Sequence, residues 1–131
     1  MLAVADLAAW LSGLAAPLVP GGVRVVSGEW EPPTPNRLVM VLPVGGGGLV
    51  MEELYDEEAF SVHVRGAQGQ YADAEGLAIA LDKAIVAAPT PVTIGTLNVA
   101  SIWRVSPPRF HQYDAARRSS FLASYIFLVQ A

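Results

Sequence analysis

The stretch Phe121-Leu122-Ala123-Ser124-Tyr125-Ile126-Phe127-Leu128-Val129 decides the fold, because it carries apolar side chains on both faces of one β-strand. The odd-numbered residues share one face, and the other face holds Leu122, Ser124, Ile126 and Leu128. A strand of this kind is covered twice. We expect a helix of the same domain on one face. The other face would be covered by a neighbouring subunit or by a second helical layer of the same chain.

Length and composition indicate one domain whose surface is partly covered by other protein. The chain has 131 residues, the size of a single domain spanning residues 1–131. Apolar residues make up 53% of the chain and charged residues only 15%, which is a low share for a fully solvated surface. We therefore expect a homo-oligomer.

The composition also excludes several classes of function. The chain has no cysteine, so it has no disulfide, no thiolate metal site and no cysteine nucleophile. A net charge of -4 argues against wrapping nucleic acid, which requires clustered Lys and Arg. The apolar segment Leu2 to Pro20 is interrupted by Ser12, Gly13 and Pro17, and no other stretch approaches the roughly 20 apolar residues of a membrane-spanning helix. We expect a soluble protein with no membrane partner.

Hydrophobic periodicity predicts two helices. Apolar residues recur at spacings of three and four from Val4 to Ala15, and again from Ala74 to Ala88. Asp6 and Asp73 lie in the first turns, where the helix dipole favours negative charge.

Alternation and short apolar runs predict the strands of one sheet. Phe60 to Arg65 alternates cleanly, which places Ser61, His63 and Arg65 on a polar face. Gly95-Thr96 predicts a type II′ hairpin turn between Val92–Ile94 and a strand from Leu97 to Val105. The remaining predicted strands are Val23–Val26, Leu38–Leu42 buried on both faces, and Leu49–Leu54.

Loops are predicted where proline, glycine and polar residues accumulate. They are Glu29 to Asn36, with Trp30 as its anchor and prolines at Pro32, Pro33 and Pro35, then Gly45 to Gly48 and Ser106 to Ser120. Together these elements predict an α/β (α+β) fold. Its mixed, mainly antiparallel sheet has about five to six strands and packs with an N-terminal helix and a central helix.

Candidate catalytic and ligand-binding residues are few. His63 and His111 are the only histidines, which excludes a histidine-rich metal site. We expect His63 to be solvated or at an interface, and His111 to order its loop by bonding Asp114. Gly45 to Gly48 lacks the Lys-Ser/Thr of a phosphate loop and the spacing of a dinucleotide site. The sequence therefore predicts no catalytic residue, no metal and no cofactor.

An acidic cluster and a mixed aromatic and basic loop are the two candidate contact surfaces. The cluster does not follow the spacing of an EF-hand, so we expect a solvated acidic face that in a ring would repel a passing polyanion. Its members are Glu52, Glu53, Asp56, Glu57 and Glu58.

The loop combines arginine with aromatic residues, a composition enriched at protein interfaces, although an ordinary surface loop is the alternative. Asp114 could pair with Arg117 three residues later. The candidate interface residues are Pro107, Pro108, Arg109, Phe110, His111, Tyr113, Asp114, Arg117 and Arg118.

The order of these parts carries a resemblance to a known family. Val62-His63-Val64-Arg65-Gly66 is followed by Tyr71-Ala72-Asp73-Ala74 at the start of a helix with Leu77-Ala78, then by a hairpin. Pro107-Pro108, Asp114 and Arg117 precede the last strand. From about Leu2 to Val129, the chain resembles the tail terminator and minor capsid family of long-tailed bacteriophages.

The resemblance implies a subunit of a hexameric ring in the neck of the virion tail, assembled in the host cytoplasm. The ring would cap the last ring of the major tail tube protein and stop its growth. Its other face would meet the head-to-tail connector or stopper protein, with DNA passing through the lumen without specific binding. Pro107 to Arg118 matches the family's loop before the last strand, and Tyr71 with Asp73 matches the polar start of its second helix. The family offers no catalytic residue or cofactor.

Within that ring, we expect Glu52 to Glu58 to line part of the lumen, because tight binding of DNA would hinder its passage. Two other functions stay open. A connector or head-completion subunit would share the size and the oligomeric habit. A small α/β ligand-binding or hydrolytic domain would need a pocket that collects His63 or His111 with carboxylates.

Overall fold

A computed structural model describes residues 2–19, 23–27, 36–44, 49–50 and 55–130, with residues 49–50 described by their backbone alone. The two α-helices are α1 (Val4–Ala15), which continues into a short 3₁₀ turn at Ala16–Leu18, and α2 (Tyr71–Ala87). The strands are β1 (Arg24–Ser27), β2 (Leu38–Pro43), β3 (Leu49–Val50), β4 (Tyr55–Gln68), β5 (Val92–Ile94), β6 (Leu97–Tyr113) and β7 (Arg118–Gln130). No helix in these ranges is long and apolar enough to cross a membrane.

All seven strands belong to one sheet, which confirms the predicted fold class. The order is β1-β2-β4-β7-β6-β5, and β3 pairs with β4. Only β1 and β2 are parallel, and every other pair is antiparallel. β2 and β3 run in the same direction along one edge of β4, so they are not the two arms of a hairpin. The run Gly45 to Gly48 between them, predicted as a turn, lies outside the described residues.

Both helices pack on the same face of the sheet. Trp10 of α1 contacts Phe127 edge to face, with ring centroids 5.9 Å apart, and Asp82 of α2 bonds Tyr125. The odd-numbered residues of β7 are buried from Phe121 to Val129, while its even-numbered residues are only half-buried. The prediction of one helical cover is confirmed. The alternative of a second helical layer is wrong for the described chain.

The predicted loop from Ser106 to Ser120 is wrong, because most of it is strand. β6 continues to Tyr113 and β7 begins at Arg118, so only the four residues 114–117 form a turn. Polar residues and two prolines are tolerated here because β5 pairs with β6 only as far as Val99. The outer edge of the rest of β6 meets no strand among the described residues, and its pairing with β7 shifts register in four places. Successive N–H groups of a strand point to opposite edges, so one proline faces the outer edge and the other faces β7 where the register shifts between Ser106 and Arg109.

The other predicted elements agree in kind and differ mainly in length. The strand at Phe60–Arg65 is part of a longer β4, and on its polar face Ser61 and Arg65 are buried while His63 is half-buried. The hairpin at Gly95-Thr96 is confirmed, with a positive φ of 63° at Gly95 alone, as a type II′ turn requires. Of the strand predicted at Leu49–Leu54, only β3 is described. Trp30 and the prolines at 32, 33 and 35 lie outside the described residues.

Candidate functional site: the end of the β6–β7 hairpin

Within the turn between β6 and β7, residues 115–117 form a three-residue loop that is closed by Asp114. The N–H of Asp114 donates to the carbonyl of Arg118 and the N–H of Arg117 donates to the carbonyl of Asp114, both at 3.0 Å. Arg117 has a φ of 63°. This is a type I turn followed by a left-handed residue. The chain thus reverses at a position where glycine would be the least strained residue.

The carboxylate of Asp114 bonds within the turn and not to His111. It accepts bonds from the backbone N–H groups of Ala116 and Arg118, both at 2.9 Å, and from Nε of Arg118 at 2.7 Å. Burial works in the opposite direction, but these bonds hold the pKa of Asp114 below its usual range. The expected pairing of Asp114 with Arg117 is therefore wrong, and Arg118 is the partner. Arg117 is instead at the exposed corner of the turn.

Three exposed aromatic rings gather beside this turn, on the helix side of the sheet. Tyr71, the first residue of α2, lies 5.6 Å from Phe110 and 5.1 Å from the buried Phe121, measured between ring centroids. Phe110 lies 4.9 Å from Tyr113. The exposed fractions are 41% for Tyr71, 40% for Phe110 and 57% for Tyr113. We call Tyr71, Phe110, Tyr113 and Arg117 the tip surface.

The tip surface is attached by a backbone bond to the connection between β4 and α2. The N–H of Gly69 donates to the carbonyl of Arg117 at 2.9 Å, with Gly69 itself at a φ of 69°. Gly66, at the end of β4, approaches α2 so closely that an added Cβ would lie 2.6 Å from the Cβ of Ala74. The position of the aromatic rings therefore depends on tight packing of α2 against β4.

The nine residues predicted as one interface lie on two sides of the sheet. Phe110 and Tyr113 pair with Phe121 and Ser119, on the helix side. Arg109 pairs with Leu122, on the open side. Sequence reasoning also missed Tyr71 as a member of the aromatic group, because its contact with Phe110 joins two distant parts of the chain.

His63 and His111 meet on the open side of the sheet. Their ring centroids are 5.6 Å apart and the rings are nearly perpendicular. β7 lies between their strands, so a flat sheet would hold the two strands about 10 Å apart. The two imidazole side chains therefore lean toward each other across β7. A small cavity there is lined by both histidines with Arg65, Gln112 and other residues, and no carboxylate is among the lining residues.

A second missed feature fastens α2 to the sheet. The carboxylate of Asp82, 6% exposed, accepts a bond from the hydroxyl of Tyr125 at 2.7 Å and from the guanidinium of Arg104 at 2.6 Å. Burial, and then the bond to Asp82, raises the pKa of the Tyr125 hydroxyl. Asp82 follows Ala78 by four residues on the buried face of α2. Sequence reasoning could have found Asp82, because it is a charged residue at a position where the helical spacing predicts a core side chain.

Asp73 joins the start of α2 to two other segments. Its carboxylate accepts bonds from Nε and Nη2 of Arg37, the shortest at 2.8 Å, and from the N–H of Ala67 at 2.9 Å. The Arg37 guanidinium holds the pKa of Asp73 below its usual range. Asp73 was predicted to lie where the dipole of α2 favours negative charge. Its carboxylate also anchors the end of β4 and the residues before β2.

The described part of the acidic cluster divides between the two faces of β4. Asp56 and Glu58 pair with Val129 and Phe127 on the helix side, and Glu57 pairs with Leu128 on the open side. Oε1 of Glu58 accepts a bond from the N–H of Leu2 at 2.8 Å. Glu52 and Glu53 lie outside the described residues. Among the described residues, no three His, Cys, Asp or Glu side chains are grouped so that they could hold a metal ion.

Comparison with known proteins shows a shared fold. No family model matches the sequence, and no curated protein matches it. Among solved structures, one similar chain belongs to the virion of a native gene transfer agent particle. The match covers 100% of this chain and 100% of that chain, with a TM-score of 0.63 and 16% sequence identity. The fold of the whole chain is therefore similar to that of a protein in a virion.

Proposed function

We propose that this protein is a virion structural protein and, more specifically, a tail terminator subunit. The observation that carries the proposal is the likeness of fold, over the full length of both chains, to a chain of the gene transfer agent virion. The family resemblance seen in the sequence supports the same conclusion independently. We propose no enzymatic activity and no cofactor.

The proposed mechanism is steric. A homo-oligomeric ring, a hexamer in our proposal, binds the last ring of the major tail tube protein and covers the surface on which the tube would grow. Its opposite face binds the head-to-tail connector or stopper protein in the neck of the virion. The tail then stops growing because the ring occupies the end of the tube. This mechanism requires complementary protein surfaces and no chemical reaction.

The open side of the sheet supports a role in assembly. Leu122, Ile126 and Leu128 of β7 are half-buried there, and Trp103 of β6, which pairs with Ile126, is 38% exposed. No helix of the described chain covers these residues. Apolar surface of this kind is typical of contact sites between proteins. This surface includes the second apolar face of the strand Phe121 to Val129.

The acidic cluster gives the proposed ring a lumen of negative charge. We propose that residues 52–58 face the lumen, where their negative charge would keep DNA from adhering. Because Glu58 and Asp56 lie on the helix side of β4, Glu57 is the described member that reaches the open side. An experimental map of the ring with residues 52–58 on the outer rim would remove this part of the proposal.

Electron microscopy of assembled particles tests the role directly. In a strain that lacks the gene, we expect tails of abnormal and variable length, and normal tails when the gene is restored. Normal tail length with heads that fail to join would instead indicate a connector or head-completion subunit. Tagged protein found at the tube end in wild-type particles would support the tail terminator role.

Purified protein separates the assembly role from an enzymatic one. We expect rings in negative-stain images, with a particle mass several times that of one chain, either alone or with tube protein. The alternative of a small ligand-binding or hydrolytic domain requires a pocket that joins a histidine to carboxylates. The cavity beside His63 and His111 has no carboxylate in its lining, and this argues against that alternative.

A further inference from the structure

The small cavity on the open side of the sheet is lined mainly by groups that donate hydrogen bonds. Polar residues from three neighbouring strands form most of its wall. They are His63 and Arg65 of β4, Ser120 of β7, and His111 and Gln112 of β6. Guanidinium, imidazole, amide and hydroxyl groups all donate to oxygen, and the first two can also carry positive charge. Such a set of donors, with no carboxylate among its described members, is the chemistry that binds an oxyanion.

We propose that this cavity binds a phosphate group, with one phosphate oxygen inserted beside Arg65 and between the two imidazole rings. The cavity has a volume of about 20 Å³, which is enough for a water molecule or for one oxygen atom of a larger ligand. The other phosphate oxygens then lie at the mouth, where His111 and Gln112 are exposed. The site is an addition to the proposed function and does not depend on the tail terminator role.

A β-bulge in β6 supplies two of the donors. Phe110 pairs with Phe121, and Gln112 pairs with Ser120. Between these two pairs, β6 therefore has one more residue than β7. Strict alternation would send Gln112 to the helix side with Phe110, whereas the bulge leaves both His111 and Gln112 on the open side. The bulge thus gives the cavity a donor that a regular strand would direct elsewhere.

Positive charge beside the histidines favours an anion over a metal cation. Arg65 is 3% exposed, and its Nε donates to the carbonyl of Asn36 at 3.0 Å. His63 and Arg109 pair with Leu122 from opposite sides, which places a second guanidinium on the same face of the sheet. Charges interact strongly where water is excluded, so Arg65 would repel a divalent cation held between the histidines. The same charge would attract a phosphate group.

The number of strands that contribute donors favours phosphate over a carboxylate. A phosphate group presents up to three terminal oxygens in a tetrahedral arrangement, so it can accept bonds from β4, β6 and β7 together. A carboxylate has two oxygens in one plane and a single negative charge. We therefore expect acetate to bind much more weakly than inorganic phosphate, which is the simplest probe of the site.

NMR spectroscopy of the purified full chain tests the proposal, because the chain has only two histidines and their ring protons are readily followed. Inorganic phosphate is titrated at constant ionic strength and a pH of about 6.5, close to the usual pKa of an imidazole. We expect both histidine signals to shift together and to saturate with a dissociation constant of about 1 to 10 mM. Acetate should require a concentration at least about tenfold higher.

Arg65→Met removes the buried charge, and Lys83→Met is the matched control. Lys83 is an exposed residue of α2, on the opposite face of the sheet, and its replacement changes the net charge by the same amount. We expect Arg65→Met to raise the dissociation constant for phosphate at least about tenfold, because a charge-assisted hydrogen bond is lost. Lys83→Met should bind phosphate like wild type.

His111→Ala keeps the test decisive if the Arg65 variant does not fold. His111 is exposed, so alanine should leave the fold intact, and the signal of His63 still reports on the cavity. We expect the phosphate-dependent shift of His63 to need at least about fivefold more phosphate than in wild type. Circular dichroism verifies that each variant is folded.

A short single-stranded oligonucleotide without terminal phosphates identifies the source of the phosphate group. Shifts of both histidines at a lower concentration than inorganic phosphate requires would assign the site to a nucleic-acid backbone. Shifts with inorganic phosphate alone would assign it to a free phosphate ion.

Several results would overturn the proposal. Without a saturable shift up to about 50 mM phosphate, the cavity would be a site for water alone. Acetate that binds as tightly as phosphate would contradict the choice of ligand, and saturation of both histidines by stoichiometric Zn²⁺ would indicate a metal site instead. An unchanged affinity for phosphate in folded Arg65→Met or His111→Ala protein would place the phosphate elsewhere on the chain.

Discussion

Replacing Gly66 with alanine should destabilise the fold more than its size suggests. The added Cβ would lie 2.6 Å from the Cβ, 2.7 Å from the N and 2.8 Å from the Cα of Ala74. Ordinary contacts between carbon atoms are about 3.5 to 4.0 Å long, so the first turn of α2 must move by about 1 Å. Two of the three atoms are backbone, and a rotamer change cannot relieve the overlap. We expect a loss of about 2 to 3 kcal/mol, at the upper end of typical overpacking.

Gly76→Ala is the matched control, because it makes the same change on the exposed face of the same helix. Nothing lies within 4 Å of a Cβ at Gly76, so alanine should stabilise α2 by about 0.5 to 1 kcal/mol. Urea denaturation followed by circular dichroism, at two protein concentrations, measures both variants. In a separate thermal scan, Gly66→Ala should lower the melting temperature by about 6 to 15 °C. A stability within about 0.5 kcal/mol of wild type at Gly66→Ala would refute the close approach of β4 to α2.

Three further predictions address other contacts. Asp73→Asn should cost about 1 to 2 kcal/mol at neutral pH. It should also flatten the acid denaturation curve, since a lowered pKa in the fold gives stability that is present above pH about 4 and is lost as the pH falls. Tyr125→Phe should cost about 1 to 2 kcal/mol in urea denaturation, because it leaves an oxygen of the buried Asp82 without its hydroxyl donor. Phe127→Ala should cost about 3 to 5 kcal/mol and Ile126→Ala about 1 to 2 kcal/mol. Equal losses of stability for the two variants would contradict a core that lies on only one face of β7.

The local spacing of apolar and polar residues was sufficient to predict most helices and strands. Alternation at Phe60 to Arg65 and spacings of three and four from Ala74 are consequences of where side chains point in a strand and in a helix, and both elements formed as predicted. Gly95 likewise determined its hairpin, since a positive φ is a local requirement.

The end of the β6–β7 hairpin was predicted less well. Pro107, Pro108 and the polar residues after them favour a loop when only neighbours in sequence are considered. They form strand because β7 supplies a partner on one side while the other edge needs none. The division of the candidate interface residues between the two sides of the sheet was not visible in the sequence, because it depends on the register between β6 and β7.

The sequence by itself determined that Phe121 to Val129 has two apolar faces, because alternation along a strand depends only on residue order. Only the tertiary structure shows that both helices pack on the same face of the sheet. On the other face, no helix of the described chain covers Leu122, Ile126 and Leu128. The tertiary structure also brought Tyr71 to Phe110 and His63 to His111. These two contacts depend on strand pairing and packing between segments that are distant in sequence. Such contacts produce no periodic pattern of residues, so the sequence alone does not reveal them.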